Sequence, residues 1–399
     1  QKPLLRRTTP KSLSTTFFRC QVLVTDPNPP IPERKTMKAQ RFLSVAAAAL
    51  LPIALLTGCS SDNSSEAPSA AASTAAATSE ATEAPATGTR VVVDQYGNDI
   101  EIPANVERIG ATIGAFAHIV VVDGGEDKLV AAIPMVGEGL FHEVWPNANP
   151  DGHDPSNVEE LIAAGTQVVI GPNITHEVAA QLESAGIVPI KIDKFGTPEE
   201  MQSVITLVGE ILGDDAPEKA ATFNKFYAGT IADVEKRVAD VPEAERVKTL
   251  NLRAGGDGYS TVDGDDISSA YVTSAGGVVV SADFDTSSGS VGAEQIIEWA
   301  PEVIFTMGQG AREQIINDPA LATVPAVANG KVYTEPSGTY PWSVRSAEGV
   351  LMPVFLGTIL HPDKFADVDL AKVTKDYYAT YYGYDLTDAQ VADILDGDE

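Results

Sequence analysis

The chain has 399 residues, 44% of them hydrophobic and 21% charged, with 56 acidic residues, 27 basic residues and a formal net charge of −29. This is a globular composition with room for two or three domains, and so acidic a surface repels nucleic acids and anionic lipid headgroups, which excludes a nucleic-acid-binding role. Both cysteines, Cys20 and Cys59, lie upstream of the segments that are predicted to fold, so a disulfide-stapled core is excluded as well.

The amino-terminal region predicts a secretion signal. Residues 1–36 have no periodic pattern and are predicted to be an upstream extension. Residues 37–58 begin with a methionine and a short basic region and continue into the apolar run LSVAAAALLPIALLTG, which is shorter than the roughly 20 residues that span a bilayer. With Cys59, this segment resembles the lipobox of bacterial lipoproteins, which implies cleavage before Cys59 and lipidation of its thiol. The alternative is a single-pass membrane anchor.

Residues 59–89 are predicted to be the lipidated cysteine and a flexible tether, because they consist almost entirely of Ser, Ala, Thr, Pro and Glu. Residues 1–59 hold nine of the basic residues and two of the acidic ones, so residues 60–399 carry a formal charge of −36. In so acidic a chain, each arginine is a candidate for a specific role or for an ion pair.

Residues 90–196 are predicted to form an amino-terminal α/β lobe. The stretch RVVVDQYGNDIEIP contains a Gly-Asn turn and predicts an opening hairpin. Short buried strands are then predicted to alternate with helical segments, which is typical of a parallel sheet. The predicted strands are 109–112, 129–133, 167–171 and 188–192.

Residues 197–241 are predicted to be a connecting helix with Thr197 as its N-cap, and Gly213 and Pro217 are positions at which it could bend or break. Residues 242–399 are predicted to be a second α/β lobe. Its predicted strands are 246–252, 303–306 and 331–333, and its predicted helices are 293–299, 346–360 and 374–382.

The two predicted lobes contain a weak internal repeat. The segment NVEEL precedes the apolar strand VVI in the first lobe, and GAEQI precedes VIF at the same spacing in the second. The predicted fold class is therefore α/β, with two Rossmann-like lobes that are joined by a single long helix and have a ligand cleft between them.

From about residue 90 to its end, the chain resembles the substrate-binding proteins of ABC importers for ferric siderophores, haem and cobalamin, the class III periplasmic binding proteins with a helical backbone. The resemblance is carried by DQYGNDIEIPANVERI, the NVEEL helix, AGIVPIKI, AEQIIEWAPEVIF, NGKVY and WSVRSAEGVLMPVFLGTILHPDKF. It implies an extracytoplasmic, lipid-anchored monomer that captures an iron(III) chelate, a ferric siderophore in the first instance, and delivers it to an ABC permease with its ATPase. Molybdate or tungstate, haem and cobalamin are the alternative ligands.

The resemblance also implies that Glu159 and Glu294, one on each lobe, dock into arginine pockets of the permease. Stabilisation of the helix dipole is the alternative role for both residues, and the neighbouring Glu160 leaves the first assignment open by one residue. The sequence has no nucleophile-elbow, P-loop or zinc-protease motif, and its five histidines are scattered. We therefore expect no enzymatic activity, no cofactor and no bare-metal site; an adhesive or scaffolding lipoprotein is a further alternative.

Ligands of two-lobed α/β proteins bind where loops leave the carboxyl ends of the strands. In the first lobe, this rule makes Met135, His142 and Trp145 candidate ligand contacts, against the alternative of ordinary packing or a solvated loop. In the second lobe the candidates are Arg253, Tyr259, Met307, Tyr340, Trp342 and Arg345. The two arginines suit an anionic chelate because guanidinium forms bidentate hydrogen bonds, while ion pairs with nearby carboxylates are their alternative role.

Overall fold

The computed structural model describes residues 88–256 and 258–397 of the chain. The predicted upstream extension, the signal segment, Cys59 and the tether as far as residue 87 lie outside these residues. Among the described helices, none combines the length and the apolar character that crossing a membrane requires.

The folded part opens with an antiparallel hairpin of β1 (Thr89–Val93) and β2 (Asp99–Pro103). Gly97 adopts a φ of 81° in the turn, a conformation that glycine reaches without steric cost. The Asp94 side chain accepts hydrogen bonds from two backbone N–H groups of the same turn, which fixes its shape. The predicted hairpin is confirmed.

Lobe one contains a four-stranded parallel sheet in the order β4-β3-β5-β6. Its first three strands in chain order are fully buried, as is typical of parallel sheets covered on both faces. The strands are β3 (Ile109–Ala111), β4 (Leu129–Ala131), β5 (Val168–Gly171) and β6 (Val188–Lys191). The helices are α1 (Gly114–Val122), α2 (Gly139–Val144), α3 (Val158–Ala163) and α4 (His176–Ser184).

The segment between the lobes folds as two helices, α5 (Pro198–Leu212) and α6 (Ala216–Val238). The helix breaks at Gly213, which has a φ of 72°, one of the two positions at which the sequence allows a break. Asn224 of α6 donates a hydrogen bond to the carbonyl oxygen of Gln202 in α5 at 2.9 Å, so the two helices run antiparallel. The predicted connecting segment is therefore a helical hairpin, and α6 alone leads into lobe two.

Lobe two has a mixed sheet in which β7 (Val247–Gly255), β9 (Gly277–Val279), β10 (Val303–Thr306) and β11 (Val332–Thr334) are parallel. Strand β8 (Gly258–Thr261) pairs antiparallel with the far end of β7. The helices are α7 (Ile267–Ser274), α8 (Ala293–Trp299), α9 (Gln309–Asn317), α10 (Pro325–Ala328), α11 (Met352–Leu360), α12 (Leu370–Tyr377) and α13 (Asp388–Asp396).

The two lobes share one topology. If the parallel strands of each lobe are counted in chain order, both sheets have the order 2-1-3-4: β4-β3-β5-β6 in lobe one and β9-β7-β10-β11 in lobe two. The helix before the third strand is α3 in one lobe and α8 in the other. The internal repeat seen in the sequence is thus a repeat of fold, and the predicted two-lobed α/β class is confirmed.

Candidate ligand-binding cleft

The two lobes enclose a cavity of about 450 Å³. The loop after β4 forms one wall and the loop after β11 forms another, so both walls lie beyond the carboxyl ends of parallel strands, where α/β proteins bind ligands. Helices α2 and α13 complete the enclosure. The lining residues are Met135, Glu138, Gly139, Leu140, Phe141, Glu143, Ser337, Gly338, Thr339, Gln390, Asp393 and Ile394.

The wall of this cavity is acidic. Carboxylates of Glu138, Glu143 and Asp393 line it, and its lining, as far as the chain is described, includes no Lys or Arg. Glu143 Oε2 accepts hydrogen bonds from Tyr384 Oη at 3.2 Å and Gln390 Nε2 at 3.0 Å, which tie lobe one to the carboxyl-terminal segment. Within residues 88–256 and 258–397, no group of three or more His, Cys, Asp or Glu is arranged to hold a metal ion.

A smaller cavity of about 290 Å³ adjoins the first, because Ser337 lines both. The loop after β10 contributes Met307 and Gln309 to its wall, and the loop after β11 contributes Glu335 and Pro341. Met307 therefore lies at the carboxyl end of a central strand and on a cavity wall. Its contact with a ligand stays a prediction.

Three predicted contact residues pack near α1, Tyr340 and Trp145 against His118 and Met135 beside Gly114. The Tyr340 ring stacks on the His118 ring with 6.0 Å between centroids, and the Trp145 ring meets it edge-on at 5.5 Å. A Cβ atom on Gly114 would lie 2.8 Å from Tyr340 Cε2 and 2.9 Å from Met135 Sδ, so the missing side chain lets both residues pack closely. Met135 and Tyr340 are partly exposed and remain candidate contacts, whereas the buried Trp145 supports the wall from behind.

Behind these rings, a buried carboxylate belongs to a network that joins the two lobes. Glu348 accepts hydrogen bonds from Tyr378 Oη and from Trp342 Nε1, both at 2.8 Å. It also accepts hydrogen bonds from the Thr339 backbone N–H at 3.0 Å and from the Thr339 hydroxyl. Thr339 Oγ1 lies 3.0 Å from His118 Nε2, so the network runs from lobe two into α1 of lobe one.

Burial moves the two titratable groups of this network toward their neutral forms. It raises the pKa of Glu348 to about 7, against the opposing effect of the hydrogen bonds from Thr339 and Tyr378. It lowers the pKa of His118 to about 3. His118 is therefore neutral at physiological pH, and the lobes are joined here by hydrogen bonds rather than by an ion pair.

Trp342 is part of this buried network, and its predicted role as a ligand contact is wrong. Its side chain has no exposed surface. The physical reason is the indole N–H, which needs an acceptor when it is buried, and Glu348 provides one. Ser346 Oγ accepts a hydrogen bond from the Gly349 N–H at 3.2 Å in the turn that follows Trp342.

Arg253 and Arg345 both form ion pairs, which is the alternative role that the sequence left open. Arg253 Nη1 lies 3.5 Å from Glu335 Oε1. Arg345 Nη2 lies 3.3 Å from Asp266 Oδ2, and its guanidinium group lies over the Phe195 ring of lobe one at 5.0 Å. Each arginine also has one buried N–H group without a hydrogen-bond partner, Nη1 of Arg253 and Nε of Arg345. A ligand contact for either residue stays a prediction.

Tyr259 and His142 do not lie where their predicted role as ligand contacts would place them. The Tyr259 hydroxyl donates a hydrogen bond to Asp318 Oδ2 at 2.6 Å, and its ring packs against the apolar core of lobe two, so the residue supports β8. His142 is exposed on α2, and the cavity is lined by its neighbours Phe141 and Glu143 instead. Adjacent side chains on a helix point to different sides. The sequence alone predicted a loop for this segment and therefore did not distinguish His142 from its neighbours.

A family model described as "Periplasmic binding protein" matches residues 119–339, more than half of the chain. The chain belongs to the periplasmic binding protein family. Its members bind solutes and are not enzymes, which confirms the prediction that the chain has no catalytic activity. This periplasmic binding protein is therefore an extracytoplasmic component of an ABC transporter that delivers a small ligand to the permease.

Three relatives illustrate the likeness. The molybdate-binding protein MolA of Haemophilus influenzae is 24% identical over 336 residues, which cover 74% of this chain and 92% of MolA. The structure of MolA bound to molybdate aligns with a TM-score of 0.65 at 22% identity, over 75% of this chain and 99% of that one. A periplasmic solute-binding protein from Veillonella parvula aligns with a TM-score of 0.65 at 27% identity, over 77% of this chain and 97% of that one. The periplasmic heme-binding protein RhuT from Roseiflexus aligns with a TM-score of 0.53 at 16% identity, over 65% of this chain and 100% of that one.

The two glutamates that the resemblance singled out occupy equivalent positions in this periplasmic binding protein. Glu159 lies in the first turn of α3 and Glu294 in the first turn of α8, and both side chains are exposed. Glu160 is engaged locally, because its Oε2 accepts a hydrogen bond from the Asp154 N–H at 2.7 Å. The ambiguity between Glu159 and Glu160 is thereby reduced in favour of Glu159 as the outward-facing carboxylate.

The sequence analysis missed the buried polar residues of the cleft. His118 and Glu348 each interrupt an apolar run, AFAHIVVV and AEGVLMPVF, and an ionisable group in such a run signals a buried hydrogen-bonded site. Glu335 carried a weaker signal, since it directly follows a buried strand. Tyr378 carried no signal, and neither did Tyr382, whose hydroxyl lies 2.8 Å from His118 Nε2, because tyrosines are common on helices of any exposure.

Proposed function

We propose that this periplasmic binding protein captures an iron(III) chelate, such as a ferric siderophore, and releases it to its ABC permease without chemical change. The observation that carries the proposal is the cavity of about 450 Å³ between the lobes. Cavities of roughly 300–1,000 Å³ enclose drug-sized ligands. Met135, Leu140 and Phe141 give this one apolar surface against which the organic part of a chelate can pack.

Molybdate is the second candidate, because MolA is a relative and because Arg253 and Arg345 each have an unsatisfied N–H group. A small oxyanion needs several donors converging on a compact site. The larger cavity instead has three carboxylates, Glu138, Glu143 and Asp393, on its wall. Its size and its charge both favour a chelate over an oxyanion.

Titration of tryptophan fluorescence tests the ligand class. Trp145 packs directly behind the cavity wall against Phe141, with 5.0 Å between ring centroids, so a bound ferric chelate should quench its emission. We expect saturable quenching by ferric hydroxamates or catecholates at roughly one chelate per protein, and none by molybdate or tungstate. Trp145→Phe should lose most of the quenching and retain the thermal stabilisation that the same chelate produces.

A response confined to molybdate and tungstate would replace the proposal with the second candidate. A response confined to haem or cobalamin would place the ligand in another branch of the same family. The absence of any response to all of these ligands would refute capture of an iron chelate.

We further propose that the protein is a monomer held at the membrane by lipid on Cys59, with residues 60–87 as its tether. Support comes from the sequence, in which a basic region, a short apolar run and Gly58 precede this cysteine. Metabolic labelling with palmitate checks the anchor. Wild-type protein should carry the label and sediment with membranes, and the Cys59→Ser variant should do neither; a labelled variant would contradict the proposal.

Permease docking through Glu159 and Glu294 completes the proposed function. The two carboxylates are exposed at equivalent helix starts, and each is followed one turn later by an exposed isoleucine, Ile162 at 53% and Ile297 at 41%. Residues three apart on a helix lie side by side. The same acidic and apolar pair on both lobes suits a partner with two similar contact surfaces, each with a cation beside an apolar depression.

A further inference from the structure

One residue of lobe two belongs both to the wall of the larger cavity and to the buried network behind it. Thr339 lines that cavity together with Ser337 and Gly338, its neighbours in the loop after β11. Its backbone N–H and its hydroxyl both donate hydrogen bonds to Glu348 Oε1, the first at 3.0 Å. A Cβ atom on Gly338 would collide with Glu348 Oε2, so the loop backbone lies directly against the carboxylate. Glu348 therefore fixes the position of this wall.

The same wall is held against lobe one through a single ring nitrogen. His118 Nε2 of α1 lies 3.0 Å from Thr339 Oγ1 and 2.8 Å from Tyr382 Oη. Because the Thr339 hydroxyl donates its proton to Glu348, its oxygen is the acceptor for His118, and a chain of hydrogen bonds crosses between the lobes. Among the described residues, His118 Nδ1 has no hydrogen-bond partner, so the ring bonds to lobe two by Nε2 alone. We call His118, Thr339 and Glu348 the interlobe latch.

Glu348 is the group of this latch that changes charge near neutral pH. Within residues 88–256 and 258–397, no Lys or Arg lies within ion-pair distance of it, and its one ion-pair contact is with the neutral His118, at 3.9 Å. The other ionisable groups around it are tyrosines, and burial raises the pKa of each and keeps it neutral. They are Tyr227 of α6, Tyr271 of α7 and, from the carboxyl-terminal segment, Tyr377, Tyr378 and Tyr382.

Opening of the latch is linked to the proton on Glu348. Burial raises the pKa of Glu348 from 4.5 to about 7 while the latch is closed. Once the latch opens and water reaches the carboxylate, the pKa returns toward its ordinary value. The closed latch therefore binds the proton more tightly than the open one. It is most stable below about pH 4.5 and weakens as the pH rises through about 7.

We propose that Glu348 is a positioning residue that governs ligand release, because the latch must open before the wall of residues 337–339 can move away from a ligand in the larger cavity. The inference rests on the proposed function and adds a control of release to it. Glu348 lines neither of the two cavities and acts through Thr339. Loss of its proton favours the open latch, so release becomes faster as the pH rises.

Hydrogen exchange of the ligand-free protein tests the latch itself. The buried Thr339 N–H exchanges only when its bond to Glu348 breaks. After correction for the intrinsic exchange rate, mass spectrometry of segment 337–342 should show about tenfold lower protection at pH 8 than at pH 6, the factor that follows from pKa values of 4.5 and about 7. Its protection should also be lower than that of β5, which only global unfolding exposes. Protection equal to that of β5, or the same at both pH values, would overturn the latch.

Displacement kinetics test the effect on release. Ferrichrome is an uncharged ferric trihydroxamate, and its gallium(III) counterpart does not quench tryptophan emission, so an excess of the gallium complex restores fluorescence at the dissociation rate. This rate should be about tenfold higher at pH 8 than at pH 6 in the wild-type protein. Glu348→Gln, which retains all five histidines, should release ferrichrome at a rate that is independent of pH. Glu183→Gln, on the exposed face of α4, is the matched control and should keep the tenfold change.

The outcomes separate this inference from the function on which it rests. A wild-type dissociation rate that is equal at pH 6 and pH 8 would overturn the control of release and leave chelate capture in place. A pH dependence that persists in Glu348→Gln would overturn the role of this carboxylate. Failure of ferrichrome to bind would overturn its release through the latch, and the fluorescence titration with other ferric complexes then decides the proposed function by itself. Both wild-type measurements need no variant, so poor folding of Glu348→Gln cannot obscure the result.

Discussion

Replacing Glu348 with Ala is expected to lower the free energy of unfolding by about 3–5 kcal/mol, because several buried donors lose their acceptor at about 1–3 kcal/mol each. The donors include Trp342 Nε1, the Tyr378 hydroxyl and the Thr339 backbone N–H. Thr339 also contacts Tyr378 Oη at 2.9 Å, so part of its loss is recovered. Urea unfolding followed by circular dichroism measures the effect. Glu183→Ala, on the exposed face of α4, is the control and should lie within about 0.5 kcal/mol of wild type.

The same carboxylate makes the effect dependent on pH. Because burial raises the pKa of Glu348 from 4.5 to about 7, its contribution to stability is complete below about pH 4.5 and is lost as the pH rises through about 7. Wild type should therefore lose up to about 3 kcal/mol relative to Glu348→Gln over this range. A Glu348→Ala protein as stable as wild type, or a wild-type advantage over Glu348→Gln that is independent of pH, would show that the network does not hold the lobes together.

The double variant Glu159→Ala, Glu294→Ala is expected to reduce ABC-dependent uptake by about tenfold or more, which corresponds to about 1.4 kcal/mol of docking free energy. The variant lacks the exposed carboxylate that each lobe presents to the permease at the start of α3 and of α8, so docking is weakened. Ligand affinity should not change, because neither residue lines the cleft cavities. Uptake of radiolabelled iron chelate by whole cells, together with calorimetry on the purified protein, measures the two quantities separately.

The control is the double variant Glu183→Ala, Glu313→Ala, which removes the same charge from exposed positions on α4 and α9. It should support uptake at the wild-type rate. If both double variants reduce uptake equally, net charge rather than docking is responsible. Uptake that is unaffected by loss of Glu159 and Glu294 would leave helix-dipole stabilisation as their role.

The fold could be predicted from the sequence where apolar strands and helical periodicity alternate. The strands that the sequence predicted at 109–112, 167–171 and 303–306 are all present within one residue of those bounds. The short strands β8 and β9 were missed because three or four residues give too little pattern. The break at Gly213 was foreseen as a possibility, but the antiparallel packing of α5 on α6 depends on tertiary contacts that no local pattern shows.

The site was harder to predict than the fold, because strand ends indicate a region and not a side-chain direction. Met135 and Met307 line the two cavities and Tyr340 packs beside Met135, since each follows a parallel strand, and their contact with a ligand stays a prediction. Trp342 was misplaced because its inward direction depends on Glu348, six residues away along a turn. The acidity of the larger cavity comes from α2 and α13, which are distant in sequence and meet only in the folded chain.

The ligand that the protein carries in its own cells shows directly whether the cleft binds an iron chelate. The full-length protein would be purified from cells that make it naturally under iron limitation, and bound metal and organic ligand would be identified by mass spectrometry. We expect iron and one organic chelator at roughly one per protein. Molybdenum or tungsten without an organic ligand would overturn the capture of an iron chelate.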